Sequence, residues 1–281
     1  MKKLAILKIG GKLLDDDARL NEALAAFSKL QGAKILVHGG GKKGSEISAR
    51  LGVEPKMVEG RRVTDADALE VVAMVYAGLL NKTVVSRLQV LGCDAVGLSG
   101  ADGNAILAKK RAAGAVDYGF AGDVQQVNKT FIFNLLSQNQ TPVFCSITHD
   151  GQGQLLNTNA DSIAACLASA LAPDFAVTLK FCFEKSGVLL DLADENSLLP
   201  ALPEAEYRRL KAEGIISEGM IPKLDNAFLA KKAGAAEVFV CGVEGIANET
   251  SRQPQKSLCQ SPSLQVSKSP SRFCHPERNC S

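Results

Sequence analysis

Residues 4–11 read Leu4-Ala5-Ile6-Leu7-Lys8-Ile9-Gly10-Gly11, an apolar run that ends in two glycines. The run predicts a buried β-strand, and the glycine pair predicts a tight turn directly after it. Lys8 lies inside this strand, where a desolvated ammonium group needs an anion close by. The stretch therefore predicts either a phosphate-holding turn or an ordinary strand end, and the rest of the sequence must decide between them.

A second glycine turn, His38-Gly39-Gly40-Gly41, follows another apolar run and precedes a helical pattern that starts at Lys42. Free backbone N–H groups at the start of a helix attract anions, so the turn predicts an anion cradle. A flexible turn without a ligand is the alternative. The spacing matches neither the Walker A motif nor Gly-x-Gly-x-x-Gly. We interpret His38 as a structural hydrogen-bonding group rather than a base.

Two further segments carry polar groups where loops become helices. In Arg61-Arg62-Val63-Thr64-Asp65, Thr64 is the expected N-cap, and the two arginines are either a solvated pair or a fork for a carboxylate. In Asn157-Thr158-Asn159-Ala160-Asp161, Thr158 or Asn159 is expected to cap a helix. Asn157 and Asp161 are about one helical turn apart, which predicts that both face one cleft.

Lys223 lies in the first turn of another predicted helix, within Gly219-Met220-Ile221-Pro222-Lys223. A cation there opposes the helix dipole, and a bound anion would remove the conflict. Lys223 is therefore a second candidate for binding phosphate.

Short apolar runs alternate with helical patterns that end at glycine or before proline, which predicts a mainly parallel sheet with helices on both faces. The predicted strands are Leu4–Ile9, Lys34–His38, Ala95–Leu98, Pro142–Ile147, Ala176–Phe181 and Val238–Cys241. The predicted helices are Asp16–Leu30, Lys42–Leu51, Asp65–Leu91, Thr158–Leu171, Pro203–Ala212 and Met220–Ala233. Residues 106–128 are expected to form small hairpins at a sheet edge.

Composition narrows the class of protein. The net charge is +2 and Trp is absent, which argues against a nucleic-acid-binding surface. No apolar run reaches 18 residues and no signal peptide is evident, so we expect no membrane association. Eight cysteines without a Cys-x-x-Cys pair favour free thiols in the reducing cytoplasm, and we expect no protein-bound metal.

These motifs together resemble the amino acid kinase family, over roughly residues 4–247. The matching segments are Lys8-Ile9-Gly10-Gly11, Val37-His38-Gly39-Gly40-Gly41, Gly60-Arg61-Arg62-Val63-Thr64, Asn81-Lys82, Val96-Gly97-Leu98-Ser99-Gly100-Ala101-Asp102-Gly103, Leu156-Asn157-Thr158-Asn159-Ala160-Asp161 and Gly219-Met220-Ile221-Pro222-Lys223. Any one of them is a weak signal, whereas the set is specific.

The resemblance implies an α/β fold, a three-layer αβα sandwich around an open, mainly parallel sheet of about eight strands. One kinase domain would cover residues 1–248, with an acceptor-binding N-terminal half and a nucleotide-binding part at about 175–248. The implied reaction is ATP-dependent phosphorylation of the side-chain carboxylate of N-acetylglutamate, or a related N-acylglutamate, in arginine biosynthesis.

The resemblance also implies roles for individual residues. Lys8 and Lys223 would hold the migrating phosphoryl group, and Asp161 would orient the two lysines. The remaining implied contacts are Gly10, Gly11 and Gly41 to the phosphoryl group, Gly40, Gly41, Arg62 and Asn157 to the acceptor, and Lys180, Gly187 and Gly219 to the nucleotide. A carboxylate acceptor is already ionised at pH 7, so positioning and charge neutralisation suffice, with Mg²⁺ arriving on ATP.

Some features depart from the family pattern. Residues 180–187, Lys180-Phe181-Cys182-Phe183-Glu184-Lys185-Ser186-Gly187, replace a turn that is normally Thr-Asp-Val-Pro-Gly-like. From Glu249 the chain is rich in Ser, Pro, Gln and Lys, so residues 249–281 are interpreted as an atypical, disordered tail. The chain starts at the first strand without a helical extension, from which we expect a homodimer through helix 65–91 that lacks arginine feedback.

Three hypotheses follow. The first is a kinase of N-acylglutamate, with an acetyl, succinyl or other acyl group. The second is a kinase of another acceptor, such as glutamate, aspartate, carbamate or UMP. The third is a ligand-binding protein on a kinase fold that has lost activity through its altered end.

Overall fold

The computed structural model describes residues 1–58, 61–191, 194, 197–216 and 219–247. The segment interpreted above as a disordered tail, residues 249–281, lies outside the described residues. Twelve strands, β1 to β12, are formed in chain order by Lys2–Ile9, Ala33–His38, Lys56–Val58, Arg61–Val63, Ala95–Leu98, Ile106–Lys110, Ala121–Val127, Thr141–Phe144, Ile147–His149, Leu155–Thr158, Phe175–Cys182 and Glu237–Cys241.

The central sheet has six strands in the order β12-β11-β1-β2-β8-β5, and all five strand pairs are parallel. Each of these strands was predicted from an apolar run. The described residues thus confirm an open, parallel sheet, with six strands in place of the eight or so that the resemblance implied. Parallel pairing brings the carboxyl ends of β1, β2 and β11 to one edge of the sheet.

The C-terminal boundary predicted for the strand Pro142–Ile147 is wrong. Strand β8 stops at Phe144, and Ile147 starts β9, which belongs to a second sheet. That sheet is a small closed barrel in the order β10-β7-β6-β9. The hairpin predicted within residues 106–128 is present as the antiparallel pair β6–β7, but it closes this barrel rather than extending an edge of the central sheet.

Helices cover both faces of the central sheet. In chain order, α1 to α9 are Gly11–Leu14, Asp17–Ser28, Lys43–Arg50, Ala66–Ala73, Asn81–Val90, Lys129–Ser137, Ala160–Leu171, Glu204–Ala212 and Ile221–Lys232. Helix α6 was not predicted; Asn128 caps it by accepting a hydrogen bond from the Phe131 N–H. The helices predicted from the 3.6-residue period are otherwise found within three residues of their expected ends.

Alternation along β1 shows how the layers form. Leu4 and Ile6 pack into a core shared with α6, α7, α8 and α9. Leu7 and Ile9 pack into a second core shared with α1, α2 and α5. Successive side chains of a strand point to opposite faces, so a strand buried on both faces must be apolar throughout. The architecture is a three-layer αβα sandwich.

The predicted helix 65–91 is a continuous helical segment, Ala66–Val90, with a π-helical stretch at Met74–Leu80 between α4 and α5. By length and mean hydropathy it is the one described helix that meets the criteria for a membrane span. Half of its most apolar window is buried in the protein, where Val72 and Val75 pack against Ile147. Helices that pack on a protein core meet the same criteria, and this helix contributes buried residues to such a core.

Thr64 is not the N-cap of this helix, as the sequence suggested. Asp65 caps it, because its carboxylate accepts the Ala68 N–H at 2.9 Å. Thr64 is fully buried and forms a bridge to Gly119 instead. The five described cysteines are not joined in disulfides, and four of them are buried: Cys93, Cys145, Cys182 and Cys241.

Candidate active site

The two glycine turns meet at the carboxyl edge of the central sheet. Strands β1 and β2 pair in parallel, with Ile9 opposite His38, so the turn after each strand lies beside the other. A Cβ on Gly11 would come within 2.9 Å of the Gly41 Cα, and Gly41 has a φ of +56°. Only glycine accepts both the close approach and the left-handed conformation without strain. The backbone of both turns therefore lines one small space.

Lys8 and Asp161 form a buried ion pair beside this space. Lys8 lies on the same face of β1 as Ile6, and its Nζ is 2.7 Å from Asp161 Oδ1. The two residues are 6% and 5% exposed. Asp161 is held in the first turn of α7, where Asn159 is the N-cap and accepts the N–H groups of Asp161 and Ser162. A buried charge pair of this kind is expensive to desolvate, which points to a functional role.

Lys223 reaches the same carboxylate from the opposite side. Its Nζ lies 4.0 Å from Asp161 Oδ2 and donates to the Gly219 carbonyl at 3.1 Å. Burial lowers the pKa of Lys223, Asp161 raises it, and repulsion from Lys8 lowers it further. The structure thus brings together the three residues predicted to be catalytic. One carboxylate between two ammonium groups leaves one positive charge for an incoming anion.

Arg62 and Asn157 meet in a second polar cluster, which Thr64 joins. Asn157 Nδ2 donates to Thr64 Oγ1 at 3.0 Å, and Thr64 Oγ1 donates to the Arg62 carbonyl at 3.3 Å. The Arg62 guanidinium is buried, and its Nη2 donates to Ser45 Oγ at 2.6 Å. Among the described residues, Arg62 Nη1 has no hydrogen-bond partner. A buried cation with an unused donor is suited to binding a carboxylate.

The start of α3 was predicted to bind an anion, and its first backbone N–H groups already bind the carboxylate of Asp15. Both carboxylate oxygens of Asp15 accept the Lys42 N–H at 2.9 Å, and one of them accepts the Lys43 N–H at 3.3 Å. The helix therefore cannot offer these two N–H groups to a ligand while Asp15 is in place. Sequence reasoning missed Asp15, because only the fold brings residue 15 to residue 42.

Gly40, predicted to contact the acceptor, lies under an aromatic ring. A Cβ built on Gly40 would overlap the ring of Tyr76, a residue of the π-helical stretch. The ring therefore packs directly on the backbone of this turn. Gly10 and Gly11 open α1, beside the same turn.

The residues predicted to bind nucleotide are divided by the structure. A small cleft near Lys223 in the sequence has the lining residues Phe183, Lys185, Gly187, Val188, Leu189, Ile215, Ile216 and Met220. Gly187 lines this cleft, and Gly219 precedes Met220 at one side of it. The altered turn at residues 180–187 still carries a carboxylate: Glu184 pairs with Lys12 at 2.6 Å, and neither residue was predicted for the site.

Lys180, also predicted to bind the nucleotide, is not among the residues that line this cleft. Its Nζ donates to the Ile246 carbonyl at 2.6 Å and to the Gly245 carbonyl at 3.3 Å. It is paired in register with Leu7, whose side chain packs on the face of the sheet opposite to Lys8. These two contacts are with the end of the described chain, and the side chain of Lys180 lies on the face of the sheet opposite to Lys8.

No cluster of three or more His, Cys, Asp or Glu side chains suited to a metal ion is present within the described residues. Carboxylates near the cluster come singly, from Asp161 and Glu184. A hard cation such as Mg²⁺ would therefore take most of its oxygen ligands from the phosphates that carry it and from water. The expectation that Mg²⁺ arrives on ATP stays a prediction.

Comparison with known proteins fits this geometry. Residues 3–242 match the model of a family described as the Amino acid kinase family. Acetylglutamate kinase of Bacteroides fragilis is 51% identical over 239 residues, which cover 85% of this chain and 92% of that protein. Acetylglutamate kinase of Methanopyrus kandleri is 37% identical over 247 residues, covering 86% and 96%.

Solved structures share the fold. The protein smu.665 of Streptococcus mutans superimposes with a TM-score of 0.69 at 26% identity, over 85% of this chain and 94% of that one. Giardia carbamate kinase gives a TM-score of 0.60 at 14% identity, over 87% and 93%, and shows the fold alone. The chain belongs to the amino acid kinase family.

Proposed function

We propose that this protein transfers the γ-phosphoryl group of ATP to the side-chain carboxylate of N-acetylglutamate, forming an acyl phosphate in arginine biosynthesis. The observation that carries the proposal is the arrangement of Lys8, Asp161 and Lys223 at the edge of the sheet. The relatives named acetylglutamate kinase support the choice of acceptor.

The chemistry needs no general base. A carboxylate oxygen of the acceptor forms a new O–P bond while the bond from the γ-phosphorus to the oxygen of ADP breaks, so no proton has to move. Negative charge is spread over the transferring group in the transition state. Lys8 and Lys223 neutralise that charge from two sides, and Asp161 keeps the two ammonium groups in place. Mg²⁺ on the ATP phosphates supplies further positive charge.

The acceptor is held through its other polar groups. Arg62 offers its buried, unused Nη1 to the α-carboxylate, and Asn157 lies in the same cluster for the amide region. Gly40 and Gly41 present backbone N–H groups to the acceptor and the phosphoryl group, together with Gly11. The Gly10 N–H already donates to the Cys182 carbonyl at 2.8 Å, so Gly10 shapes the turn without offering that group to the substrate. A buried guanidinium without a carboxylate partner has a strong preference for such a ligand.

The nucleotide occupies the cleft between the segments 183–189 and 215–220. Its apolar lining, with Val188, Ile216 and Met220, suits the flat base of a nucleotide. Gly187 lines this cleft, and a Cβ on Gly219 would meet no atom of the described residues within 4 Å, which leaves room for a ligand beside Met220. Residues from about 175 to 248 then bind ATP, and the preceding part of the domain binds the acceptor.

Two copies associate through the long helix 66–90 in this proposal. Met74 and Leu79 are 58% and 48% exposed on it, although both are large and apolar. Sedimentation equilibrium at several concentrations tests the dimer. We place the protein in the cytoplasm, where ATP and free thiols prevail, with neither nucleic acid nor membrane as a partner.

The test of the function is trapping of the acyl phosphate as a hydroxamate by hydroxylamine. ATP-Mg²⁺ is supplied with N-acetylglutamate, and N-succinylglutamate and glutamate run in parallel. Product with N-acetylglutamate is expected, and the ratio among acceptors reports the acyl preference. A folded protein that yields no product with any acceptor would overturn the proposal and favour a ligand-binding protein. ATP without acceptor is the control for background hydrolysis.

A further inference from the structure

His38 is buried beside the triglycine turn, Gly39-Gly40-Gly41, and the active site proposed above does not use His38. Its side chain is inaccessible, and burial lowers the pKa of His38 to about 4. The ring is therefore neutral at pH 7, with one nitrogen that donates and one that accepts. A neutral imidazole buried on a sheet face requires a partner for each nitrogen, and both are present.

The partners determine which nitrogen carries the proton. His38 Nδ1 lies 2.9 Å from the Gly39 carbonyl oxygen, which can only accept. Nδ1 must therefore donate, and Nε2 accepts from Asn81 Nδ2 at 3.0 Å. Asn81 Nδ2 also donates to the Val143 carbonyl at 2.9 Å, and its Oδ1 accepts from Lys82 Nζ at 3.2 Å. Every hydrogen bond in this network thus has a determined direction.

The network sets the orientation of one peptide plane in the turn. The Gly39 carbonyl points toward the His38 ring, on the sheet face that α5 covers. No described peptide bond is cis, so the N–H of Gly40, in the same peptide group, points the opposite way. The opposite face carries Lys8 and Asp161, and a Cβ on Gly39 would lie 3.8 Å from the Ala160 Cβ. Among the described residues the Gly40 N–H meets no hydrogen-bond acceptor.

The π-helical stretch explains how one helix reaches this turn twice. Tyr76 packs on Gly40 from within the stretch, and Asn81 follows the stretch and contacts His38. In an α-helix, residues five apart are separated by about 140° around the axis. Hydrogen bonds from residue i to i+5 bring such residues close to one face. The irregular helix therefore lets Tyr76 and Asn81 contact the same turn.

We propose that His38 and Asn81 are positioning residues that aim the Gly40 N–H at the oxygens of the phosphoryl group in transfer. The proposal rests on the proposed function, because it needs a reacting group between the glycine turns and Lys8. Neither side chain touches the substrate. Their effect is to hold a peptide dipole ready, so that it need not reorient when negative charge develops.

Two variants of His38 separate this role from simple core packing. His38→Asn places an amide N–H near the position of Nδ1, so it retains a donor for the Gly39 carbonyl and loses the contact with Asn81. His38→Gln places its amide near Nε2, so it retains the contact with Asn81 and loses the donor. Both remove the ring from the same buried place, which makes each a matched control for the other.

We expect His38→Gln to lower kcat roughly 10- to 100-fold, with smaller changes in KM, and His38→Asn to stay within about fivefold of the parent. Thermal unfolding should place both variants at similar stability. Equal kcat in two folded variants would overturn the proposal, as would a loss of kcat that follows stability alone. Wild-type hydroxamate formation is measured in parallel, so its absence would point to failure of the proposed function instead.

A measurement on the wild-type protein covers the case in which the variants do not fold. In protein labelled with ¹⁵N-glycine, the assigned Gly40 amide is followed while MgADP, aluminium fluoride and N-acetylglutamate assemble a phosphoryl-transfer mimic. A large downfield proton shift of Gly40 that MgADP alone does not cause is expected. An unchanged Gly40 resonance in the assembled complex would overturn the proposal.

Discussion

Two lysines, Lys8 and Lys180, lie buried on neighbouring strands of the parallel sheet and face opposite sides of it. Lys8 is 6% exposed and its ammonium group meets the carboxylate of Asp161. Lys180 is 4% exposed, donates to the carbonyls of Gly245 and Ile246, and lies 5.5 Å from the centre of the Phe239 ring. Similar burial on adjacent strands thus accompanies different partners.

The difference between Lys8 and Lys180 shows under which conditions a buried lysine indicates a phosphate-binding site. Asp161 is shared between Lys8 and Lys223, so the cluster keeps a positive charge that an incoming phosphate can neutralise. Two of the contacts of Lys180 are with the backbone carbonyls of Gly245 and Ile246, which directly follow β12. Such contacts favour a structural role for Lys180 over the nucleotide-binding role expected from the resemblance. The face of the sheet on which each side chain lies, rather than its burial, separates the two lysines.

The comparison is tested most strongly by the paired variants Lys8→Met and Lys180→Met. We expect Lys8→Met to lower kcat by about 10²- to 10³-fold, because it removes a charge that stabilises the transferring group. Lys180→Met should keep kcat within about twofold. Hydroxamate formation measures both, after correction for the folded fraction by circular dichroism. Similar losses in the two variants would contradict the distinction drawn here.

Arg62 is a third buried cation, and its Nη1 has no hydrogen-bond partner among the described residues. Arg62→Leu should raise KM for N-acetylglutamate about 10- to 100-fold, since a hydrogen bond to a charged group contributes roughly 1.5–3 kcal/mol. KM for ATP should change little. The neighbouring exposed residue provides the control, because Arg61→Leu removes the same charge without touching the cluster. An equal effect of both substitutions on KM would indicate general electrostatic attraction instead.

Lys180→Met also tests the structural side of the comparison. We expect the free energy of unfolding to fall by about 1–3 kcal/mol, because two inward-facing carbonyls lose their donor. Urea unfolding monitored by circular dichroism measures the change. Lys3→Met, an exposed position on β1, is the matched control and should be nearly neutral. If Lys180→Met proved neutral while activity fell, the nucleotide-binding interpretation of Lys180 would gain support.

The smallest expected effect concerns pH. Burial lowers the pKa of Lys223 below its ordinary value, although Asp161 opposes the shift. The ammonium form is the active one, and it is lost as pH rises through that lowered pKa. We therefore expect kcat/KM to decline on an alkaline limb that starts below pH 10.5. Lys223→Arg retains the charge and should move this limb to higher pH. A limb that stays in place would assign it to another group.

Local patterns in the sequence were sufficient for the central sheet and for part of the site. The strands of this sheet are largely apolar runs, because a strand buried on both faces admits few polar residues, and β1 and β2 end at glycine turns. Lys8 and Lys223 were each predicted from local features to bind an anion, and the resemblance to the amino acid kinase family grouped them with Asp161. Arg62 and Asn157 were predicted in the same way, from polar groups at the ends of elements.

Contacts between distant residues decided what sequence reasoning missed. The barrel strands β9 and β10 are only three and four residues long, so they have too few residues to show a period. Asp15 fills the helix start at Lys42 because the fold brings them together, and no motif links the two positions. The π-helical stretch likewise follows no sequence rule, although the contacts of Tyr76 with Gly40 and of Asn81 with His38 depend on it.

The amino-acid sequence by itself determined that this is a parallel α/β kinase domain with glycine turns and lysines at one sheet edge. Only the tertiary structure decided which buried lysine lies beside Asp161. Lys8 and Lys180 both sit in apolar strands, and a side chain changes face with every residue along a strand. Since Lys180 pairs in register with Leu7 rather than with Lys8, the two ammonium groups point to opposite layers. That offset is set by strand pairing, which neither strand encodes alone.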